Sequence, residues 1–157
     1  MLFFLATPEY NNTQSNTTKV RVHLKNGVAE IFDQHQDLMG RVDNNIVEIE
    51  VNTEKTLFIL QDAVFVVSTK GLDKTAELKG TSVYIYARRA QEIKSNVSLD
   101  EIAKQYDQKN AEIERFSNKL VEESSESGKT RINSKLTLLK DELGFLKKVT
   151  LMIKELK

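Results

Sequence analysis

Cysteine and tryptophan are absent from the 157 residues, and proline occurs once. Without cysteine the chain cannot form a disulfide framework, a thiolate zinc site or a cysteine nucleophile. Its apolar runs, such as 2–6 and 63–67, fall far short of the roughly 20 residues of a membrane-spanning helix. The N-terminus has no basic residues ahead of its short apolar stretch, so it is unlike a secretory signal. The sequence therefore predicts a cytoplasmic protein with no direct membrane insertion.

An excess of either charge is also missing. Lysine and arginine number 23, as do aspartate and glutamate, so the formal net charge is zero. Nucleic-acid-binding arms and polybasic membrane surfaces need a positive excess, and this balance argues against both. Hydrophobic residues make up 39% of the chain and charged residues 29%, which indicates a globular protein of one or two domains rather than a disordered chain.

The first part of the chain, residues 1–94, has the alternation of β-strands. Val20, Val22 and Leu24 alternate with charged neighbours, which is typical of a strand with one buried face. Other apolar segments predict further strands at 2–6, 46–51 and 83–86. Many short strands separated by turn residues indicate an antiparallel β-sandwich as the first domain.

Turn residues divide these strands. Asn26-Gly27 predicts a tight hairpin, because both residues tolerate positive φ. Segments 57–60 and 63–67 are apolar on both faces and are split by Gln61-Asp62, which predicts the two arms of a central hairpin. The polar segment 10–18 predicts a loop or a mobile hairpin tip.

From residue 95 onward the pattern becomes helical. Two helices are predicted at about 98–123 and 130–157, and the polar stretch 122–129 between them predicts a loop. Ser98 and Glu101 have the spacing of a capping box. The first helix has one narrow apolar seam, which only Lys109 interrupts. The second domain is therefore predicted to be an antiparallel helical hairpin, which makes the protein α+β.

The second helix carries two apolar stripes. The first is a seam at heptad spacing, formed by Ile132, Leu136, Leu139, Leu143, Leu146, Thr150 and Ile153. The second lies beside it and is formed by Leu138, Phe145, Val149, Met152 and Leu156. One antiparallel neighbour covers one stripe, so the second stripe needs either the β domain or another chain.

The two helices have opposite net charge. Residues 98–123 hold four basic and seven acidic side chains, whereas residues 131–157 hold seven basic and three acidic ones. This difference favours pairing of the two helices with each other. Exposed ion pairs contribute only about 0.2–1 kcal/mol each, so burial of the seams must supply most of the stability of the hairpin.

Residues suited to catalysis are few. His35 and Asp33 lie in the stretch Asp-Gln-His-Gln-Asp, which is open to two interpretations, a metal or acid–base cluster and a polar turn between strands. Tyr84 and Tyr86 are interpreted as packing on a sheet face rather than as a base-stacking platform. No pair of carboxylates indicates a catalytic dyad. The sequence thus predicts a non-enzyme without metal or cofactor, with an enzyme using His35 and Asp33 as an alternative.

Three motifs occur in an informative order. Leu-Ala-Thr-Pro-Glu at 5–9 is followed by Asn26-Gly27-x-x-Glu30-Ile31-x-x-x-His35-Gln36-x-Leu38, and Leu99-Asp100 with Ala103 opens the first helix. In this order, and with the sandwich preceding the hairpin, they resemble the epsilon subunit of F-type ATP synthases. The resemblance covers nearly the whole chain.

The chain departs from that family at three places. Asp37 stands where the family has proline, Gln61-Asp62 replaces a Gly-Gly pair, and no arginine precedes Ala103 as it does in members that bind ATP. The resemblance therefore implies a divergent member, and the missing arginine argues against nucleotide sensing by it. Lysine outnumbers arginine 17 to 6, a bias of AT-rich genomes, which suggests a specialised F-type-like ATPase of a mollicute.

The resemblance implies a non-catalytic rotor-stalk subunit. Its sandwich would bind a gamma-like subunit, catalytic alpha-like and beta-like subunits would lie nearby, and the complex would place it at the periphery of a membrane. The basic last helix would either block ATP hydrolysis in an extended state, as in some members of the family, or pair with the acidic first helix. We expect the partner interface to include His35, Leu38, Leu138, Phe145, Val149, Met152, Leu156, Lys147, Lys148 and Lys154. A stand-alone adaptor that docks through the helical hairpin is the alternative function.

Overall fold

The computed structural model of the chain describes residues 1–69, 80–93 and 99–156. The strands are β1 (Leu2–Ala6), β2 (Asn11–Gln14), β3 (Thr17–Leu24), β4 (Gly27–Phe32), β5 (Leu38–Val42), β6 (Asn45–Val51), β7 (Glu54–Ser68) and β8 (Ser82–Ile93). The helices are α1 (Leu99–Glu122) and α2 (Glu126–Leu156). The chain divides into two compact units, Met1–Asn96 and Val97–Lys157. The predicted α+β fold, a sandwich followed by a helical hairpin, is confirmed.

The strands form one continuous hydrogen-bonded order that folds into two layers. The order is β2-β1-β8-β7-β6-β3-β4, and β5 pairs with β7 outside this path. The first half of β7 pairs with β6 and its second half with β5, while β8 accompanies it on the other side. One layer is therefore β4-β3-β6-β7-β8 and the other is β5-β7-β8-β1-β2. All pairs are antiparallel except β1 with β8, which are parallel.

The prediction of a central hairpin at Gln61-Asp62 was wrong, because the single strand β7 continues through this point. Asp62 takes a left-handed φ of 47°, and the burial alternation shifts by one residue there, from Phe58 and Leu60 before it to Ala63 and Phe65 after it. The polar pair thus marks a bend where the strand passes from one layer to the other. Arg89 of β8 donates to the Gln61 side chain at 2.8 Å, so the bend is stabilised by hydrogen bonding.

The core lies between the two layers. Phe3, Phe58 and Phe65 are its largest side chains, and the rings of Phe3 and Phe58 stack with centroids 6.0 Å apart. Val20 and Val22 are fully buried, as their alternation predicts. Burial of an aliphatic or aromatic side chain contributes about 1.5–3 kcal/mol, so this cluster holds the sandwich together in the absence of disulfides.

Gly40 allows β5 to pack closely on this core. A Cβ atom at this position would lie 2.6 Å from Cε1 of the buried Phe65 ring. Carbon atoms in contact prefer separations of about 3.5–4.0 Å. Glycine is therefore required here by close approach rather than by a special backbone angle.

Two turns in the sandwich differ in detail from the predictions. The β3–β4 hairpin is confirmed, but Leu24 pairs with Gly27, so its two loop residues are Lys25 and Asn26. The segment predicted as a loop or hairpin tip at 10–18 instead contributes strand β2, which pairs with β1 at the end of one layer. Polar side chains are tolerated in β2 because it is a short edge strand.

The helical hairpin follows the predicted seam on α1. Ile102 is buried and Leu99, Tyr106, Ile113, Phe116 and Leu120 are partly buried. Helix α2 begins at Glu126, four residues before the predicted start, because Ser125 caps it by accepting the Gly128 amide at 3.1 Å. The predicted capping residue of α1, Ser98, lies outside the described residues. Within the described residues, neither helix combines the length and apolar content needed to cross a bilayer.

Candidate partner-binding surfaces

The outer side of the β5-β7-β8-β1 layer is apolar instead of polar. We call this surface the aromatic face; it is formed by Phe4, Met39, Val64, Val66, Tyr84 and Tyr86. Met39 is 76% exposed, Tyr86 45% and Val64 42%, whereas Phe4 and Val66 are partly buried and Tyr84 is buried. A layer with one solvated side normally alternates apolar and polar residues, so the exposed part of this surface is a candidate for contact with another molecule.

The strand register gives the aromatic face its order. Met39, Val66, Tyr84 and Phe4 lie side by side on four neighbouring strands. In the next row, Val64 and Tyr86 are neighbours, and the exposed Arg41 of β5 lies on the other side of Val64, where the apolar surface ends. The Phe4 ring contacts both tyrosine rings edge to face, with centroids 6.1 and 6.2 Å apart. The interpretation of the tyrosines as sheet-face packing is confirmed, and these ring contacts hold the surface in one shape.

Polar residues surround the aromatic face. Asn11 and Thr13 lie beyond it on β2. At one end Arg88 and Asp62 form an exposed ion pair with N–O separation of 3.6 Å. An apolar centre with a polar rim is the usual anatomy of a protein–protein interface, and aromatic residues contribute most of the binding energy there.

The sequence contained a signal for this surface. Segments 2–6 and 63–67 are apolar at every position, which means that both sides of their strands are apolar. In the predicted central hairpin, both apolar sides of 63–67 would be buried. The register shows that one side faces the core and the other belongs to the aromatic face.

The helical hairpin accommodates the polar interruption of its seam. Lys109 of α1 forms an ion pair with Glu142 of α2 at 2.8 Å, and both side chains are mostly buried. Tyr106 and Lys147 also meet, with the Lys147 ammonium 5.9 Å from the ring centroid. Residue numbers rise along α1 while those of the partners fall along α2, which confirms the antiparallel arrangement. The Lys109–Glu142 pair fixes the register, since a shifted hairpin would leave both charges partly buried and unpaired.

The predicted interface residues of α2 divide into two groups. Phe145 and Val149 are buried, and Met152 is partly buried. Leu138 and Leu156 are exposed. The structure therefore does not bring the second apolar stripe together as one exposed surface, and the role of these residues in partner binding stays a prediction.

The three predicted lysines surround a leucine that the stripes omit. Leu151 is 60% exposed, and Lys147, Lys148 and Lys154 lie one helical turn from it, at i−4, i−3 and i+3. Leu151 also lines a mainly apolar groove of about 410 Å³ between the two helices, together with Leu99, Ala103, Tyr106, Asp107, Lys147 and Thr150. This basic patch is suited to an acidic, partly apolar partner.

His35 and Leu38, the remaining predicted interface residues, lie between β4 and β5 and at the start of β5. The His35 ring Nδ1 is 2.7 Å from the carbonyl oxygen of Gln36, and its amide donates to the Phe32 carbonyl. Leu38 is partly exposed. The surrounding contacts are those of a polar turn, the second of the two interpretations of this stretch.

Asp33 acts as a structural acceptor. Its carboxylate accepts the Thr81 amide at 3.0 Å and the Gln34 amide at 3.1 Å, which joins the β4–β5 turn to the start of β8. These bonds, that from Thr81 first, lower the pKa of Asp33 below its usual 3.8. A carboxyl already held in this way is poorly placed to act as a base on a substrate. Across residues 1–69, 80–93 and 99–156, no three acidic or histidine side chains form a possible metal site.

The lowered pKa of Asp33 predicts a pH-dependent effect of Asp33→Asn. A carboxyl with a depressed folded-state pKa stabilises the protein above its unfolded pKa, and this contribution disappears as the pH falls through the folded value. We expect Asp33→Asn to lower the free energy of unfolding at pH 7, and the difference from wild type to shrink near pH 3. Urea titrations at both pH values measure it. The exposed Asp43→Asn is the control, and an equal deficit at both pH values would contradict the assignment.

Comparisons with known proteins identify the fold. No protein-family model and no curated protein matches the chain. Among solved structures, a chain of the cryo-EM structure of the Euglena gracilis mitochondrial ATP synthase (OSCP/F1/c-ring, rotational state 1) matches with a TM-score of 0.50 and 13% identity. The match covers 83% of this chain and 71% of that one. This chain shares the fold of an ATP synthase chain.

A second neighbour comes from the Tetrahymena thermophila mitochondrial ATP synthase, in a structure of its central stalk and c-ring. It has a TM-score of 0.45 and 12% identity, and covers 96% of both chains. The 13% identity of the Euglena chain shows likeness of fold alone. The suggested mollicute source of the chain gains no support from that structure.

Proposed function

We propose that the chain is a non-catalytic rotor-stalk subunit of an F-type-like ATPase, similar to the epsilon subunit. The observation that carries the proposal is the aromatic face, because a coupling subunit needs surfaces for partners rather than catalytic side chains. The fold shared with the Euglena ATP synthase chain, and the resemblance of the motifs at 5–9 and 26–38, support the same assignment.

The aromatic face is the proposed site for a gamma-like stalk subunit. Two rows of residues on four strands, with strands about 4.8 Å apart, cover on the order of 250 Å². A stable complex buries about 800 Å² on each partner. The partner must therefore also touch neighbouring parts of the chain, which fits a subunit inside an assembly better than a chain that docks through one patch.

The basic patch around Leu151 is the proposed contact with catalytic alpha-like and beta-like subunits. Three exposed lysines around a leucine complement an acidic segment with apolar residues. The same positive charge favours pairing of α2 with the acidic α1 inside the hairpin. An inhibitory role of α2 is therefore a separate part of the proposal and requires a test of its own.

The composition of the native assembly tests the stalk assignment. The tagged chain, purified from its own cells and analysed by native mass spectrometry, is expected to carry gamma-like, alpha-like and beta-like subunits. Its recovery without any of them would reject the stalk function and leave the adaptor alternative.

The inhibitory part predicts an effect on ATP hydrolysis. Replacing Lys147, Lys148 and Lys154 together by glutamine removes three exposed charge contacts worth about 0.2–1 kcal/mol each. The ATPase rate of the purified assembly is expected to rise about threefold or more. Arg131→Gln with Lys135→Gln is the matched control, since both charges lie on the same helix near its other end. An unchanged rate in both variants, with normal assembly, would remove inhibition and retain the structural role.

A further inference from the structure

Strand β4 ends the sheet order and has an accessible edge. Within residues 1–69, 80–93 and 99–156, no strand pairs with the side of β4 that faces away from β3. Val28 is 51% exposed and Phe32 is 49% exposed, and both lie on the outer side of the layer. The strand thus presents an unpaired backbone edge together with two large apolar side chains.

The β3–β4 turn determines which backbone groups point to this edge. In a two-residue hairpin the residues that flank the loop, here Leu24 and Gly27, form a hydrogen-bonded pair, and such pairs alternate along the strands. Ala29 and Ile31 therefore direct their N–H and C=O groups to β3. Val28 and Glu30 direct theirs to the free edge, at the spacing that another strand would pair with. Phe32 contributes only its N–H there, because its C=O already accepts the His35 amide.

The edge of β4 lacks the usual protection against pairing. Natural edges carry lysine, proline, a bulge or an unpaired inward charge, and β4 contains neither lysine nor proline. Its one charged residue, Glu30, is exposed on the outer side of the layer and does not point inward, and its carboxylate bonds to Arg21 and lies 3.6 Å from Lys19. The other edge strands differ, since β2 is polar throughout and β5 carries the exposed Arg41.

We propose that the edge of β4 binds an extended segment of a partner protein by β-strand addition. The backbone of this segment would pair with Val28, Glu30 and Phe32. Two apolar side chains of the segment would lie beside Val28 and Phe32, and a basic side chain between them would lie opposite Glu30. A second copy of this chain is a poorer occupant, because antiparallel pairing that brings Val28 beside Phe32 also sets Glu30 opposite Glu30.

Proline at position 30 distinguishes strand addition from a contact of side chains. The Glu30 N–H points away from β3, so Glu30→Pro keeps the β3–β4 ladder and removes a donor from the free edge. Glu30→Gln is the matched control, because it removes the charge and keeps the donor. If Glu30→Pro does not fold, as judged by circular dichroism, a variant with both Val28→Lys and Phe32→Lys replaces it. The two lysines disfavour pairing at the edge while every backbone amide is retained.

The probe is the native assembly itself. Amide hydrogen exchange at single-residue resolution compares the isolated full chain with the chain in the assembly purified from its cells. We expect the Val28, Glu30 and Phe32 amides to exchange at least about tenfold more slowly in the assembly. The variant with a blocked edge, by proline or by lysines, is expected to recover at least about tenfold less partner than wild type, while Glu30→Gln recovers the wild-type amount.

Three outcomes would overturn the proposal. They are unprotected edge amides in the wild-type assembly, full partner recovery by the variant with a blocked edge, and recovery of wild type as an isolated chain. Concentration-dependent protection in the purified chain alone, with a dimer in sedimentation, would assign the edge to a second copy instead. The test is independent of the stalk function. The identity of the recovered subunits decides the stalk function, whereas the exchange of the three amides decides whether the β4 edge pairs with a partner strand.

Discussion

Replacing Tyr86 by glutamate is expected to release the chain from its assembly without unfolding it. Tyr86 is 45% exposed on the aromatic face, beside Val64, and contacts Phe4 edge to face. A carboxylate there would be desolvated against an apolar partner, and loss of an aromatic anchor typically costs 2 kcal/mol or more, so affinity should fall roughly 30- to 100-fold. Quantitative mass spectrometry of the purified assembly measures the partner that remains bound.

Two control variants make this result specific. Tyr86→Phe keeps the ring and is expected to retain most binding. Thr13→Glu places the same charge on the polar rim at β2 and is expected to have little effect, because rim residues contribute little to affinity. Normal partner recovery with Tyr86→Glu, or equal loss with Thr13→Glu, would show that the aromatic face is not the docking surface.

Gly40→Ala is expected to destabilise the protein by about 2 kcal/mol. The added methyl group would lie 2.6 Å from the Phe65 ring, which is buried and has no room to withdraw. Strand β5 must then move away from β7, which weakens pairing along this part of the layer. The difference in free energy of unfolding, measured by urea denaturation, gives the cost.

Gly144→Ala is the matched control, with the opposite expected sign. Among the described residues, nothing beyond its chain neighbours and the nearby backbone of α2 lies within 4 Å of a Cβ at Gly144, which is exposed. Alanine favours a helix over glycine by about 0.8–1.0 kcal/mol, so this variant should be stabilised. Pairing Gly40→Ala with Phe65→Leu should recover part of the loss, and additive effects of the two changes would show that the ring is not what resists the methyl group.

The parts of the fold that could be predicted are those that depend on periodicity. Val20 and Val22 alternate with charged residues, and β3 is a strand with this buried side. The seam of α1 recurs at helical spacing and is the side that packs on α2. In both elements the spacing of apolar side chains is compatible with one structure, so the local sequence is sufficient to predict it.

The parts that could not be predicted depend on long-range contacts. Gln61-Asp62 has the composition of a turn, but the pairing of β7 with β8 on both sides of it and its contacts with Arg88 and Arg89 make it a bend within a strand. Helix α2 begins at Glu126 because the Ser125 hydroxyl is available as a cap, although glycine and serine are frequent nearby. The bend cannot be predicted until its partners on β8 are known, and the start of α2 cannot be predicted until the geometry of its cap is known.

The candidate surfaces were predicted only in part. Lys147, Lys148 and Lys154 are exposed as expected, whereas Phe145 and Val149 are buried. The heptad spacing does not show where one stripe of α2 ends and the other begins. Residues 139, 142, 146, 149 and 153 also follow a three-four spacing, and they lie on the buried side of the helix. The aromatic face was missed because it becomes a surface only when four strands lie side by side.

The bend at Asp62 has a mechanical consequence. Strands β7 and β8 each belong to both layers and pair with each other on both sides of the bend. A twisting load applied to one layer therefore passes to the other along the covalent backbone. In a sandwich whose layers touch only through side chains, the same load would shear the core. This construction favours a body that turns as one stiff piece, and it needs no disulfide to do so.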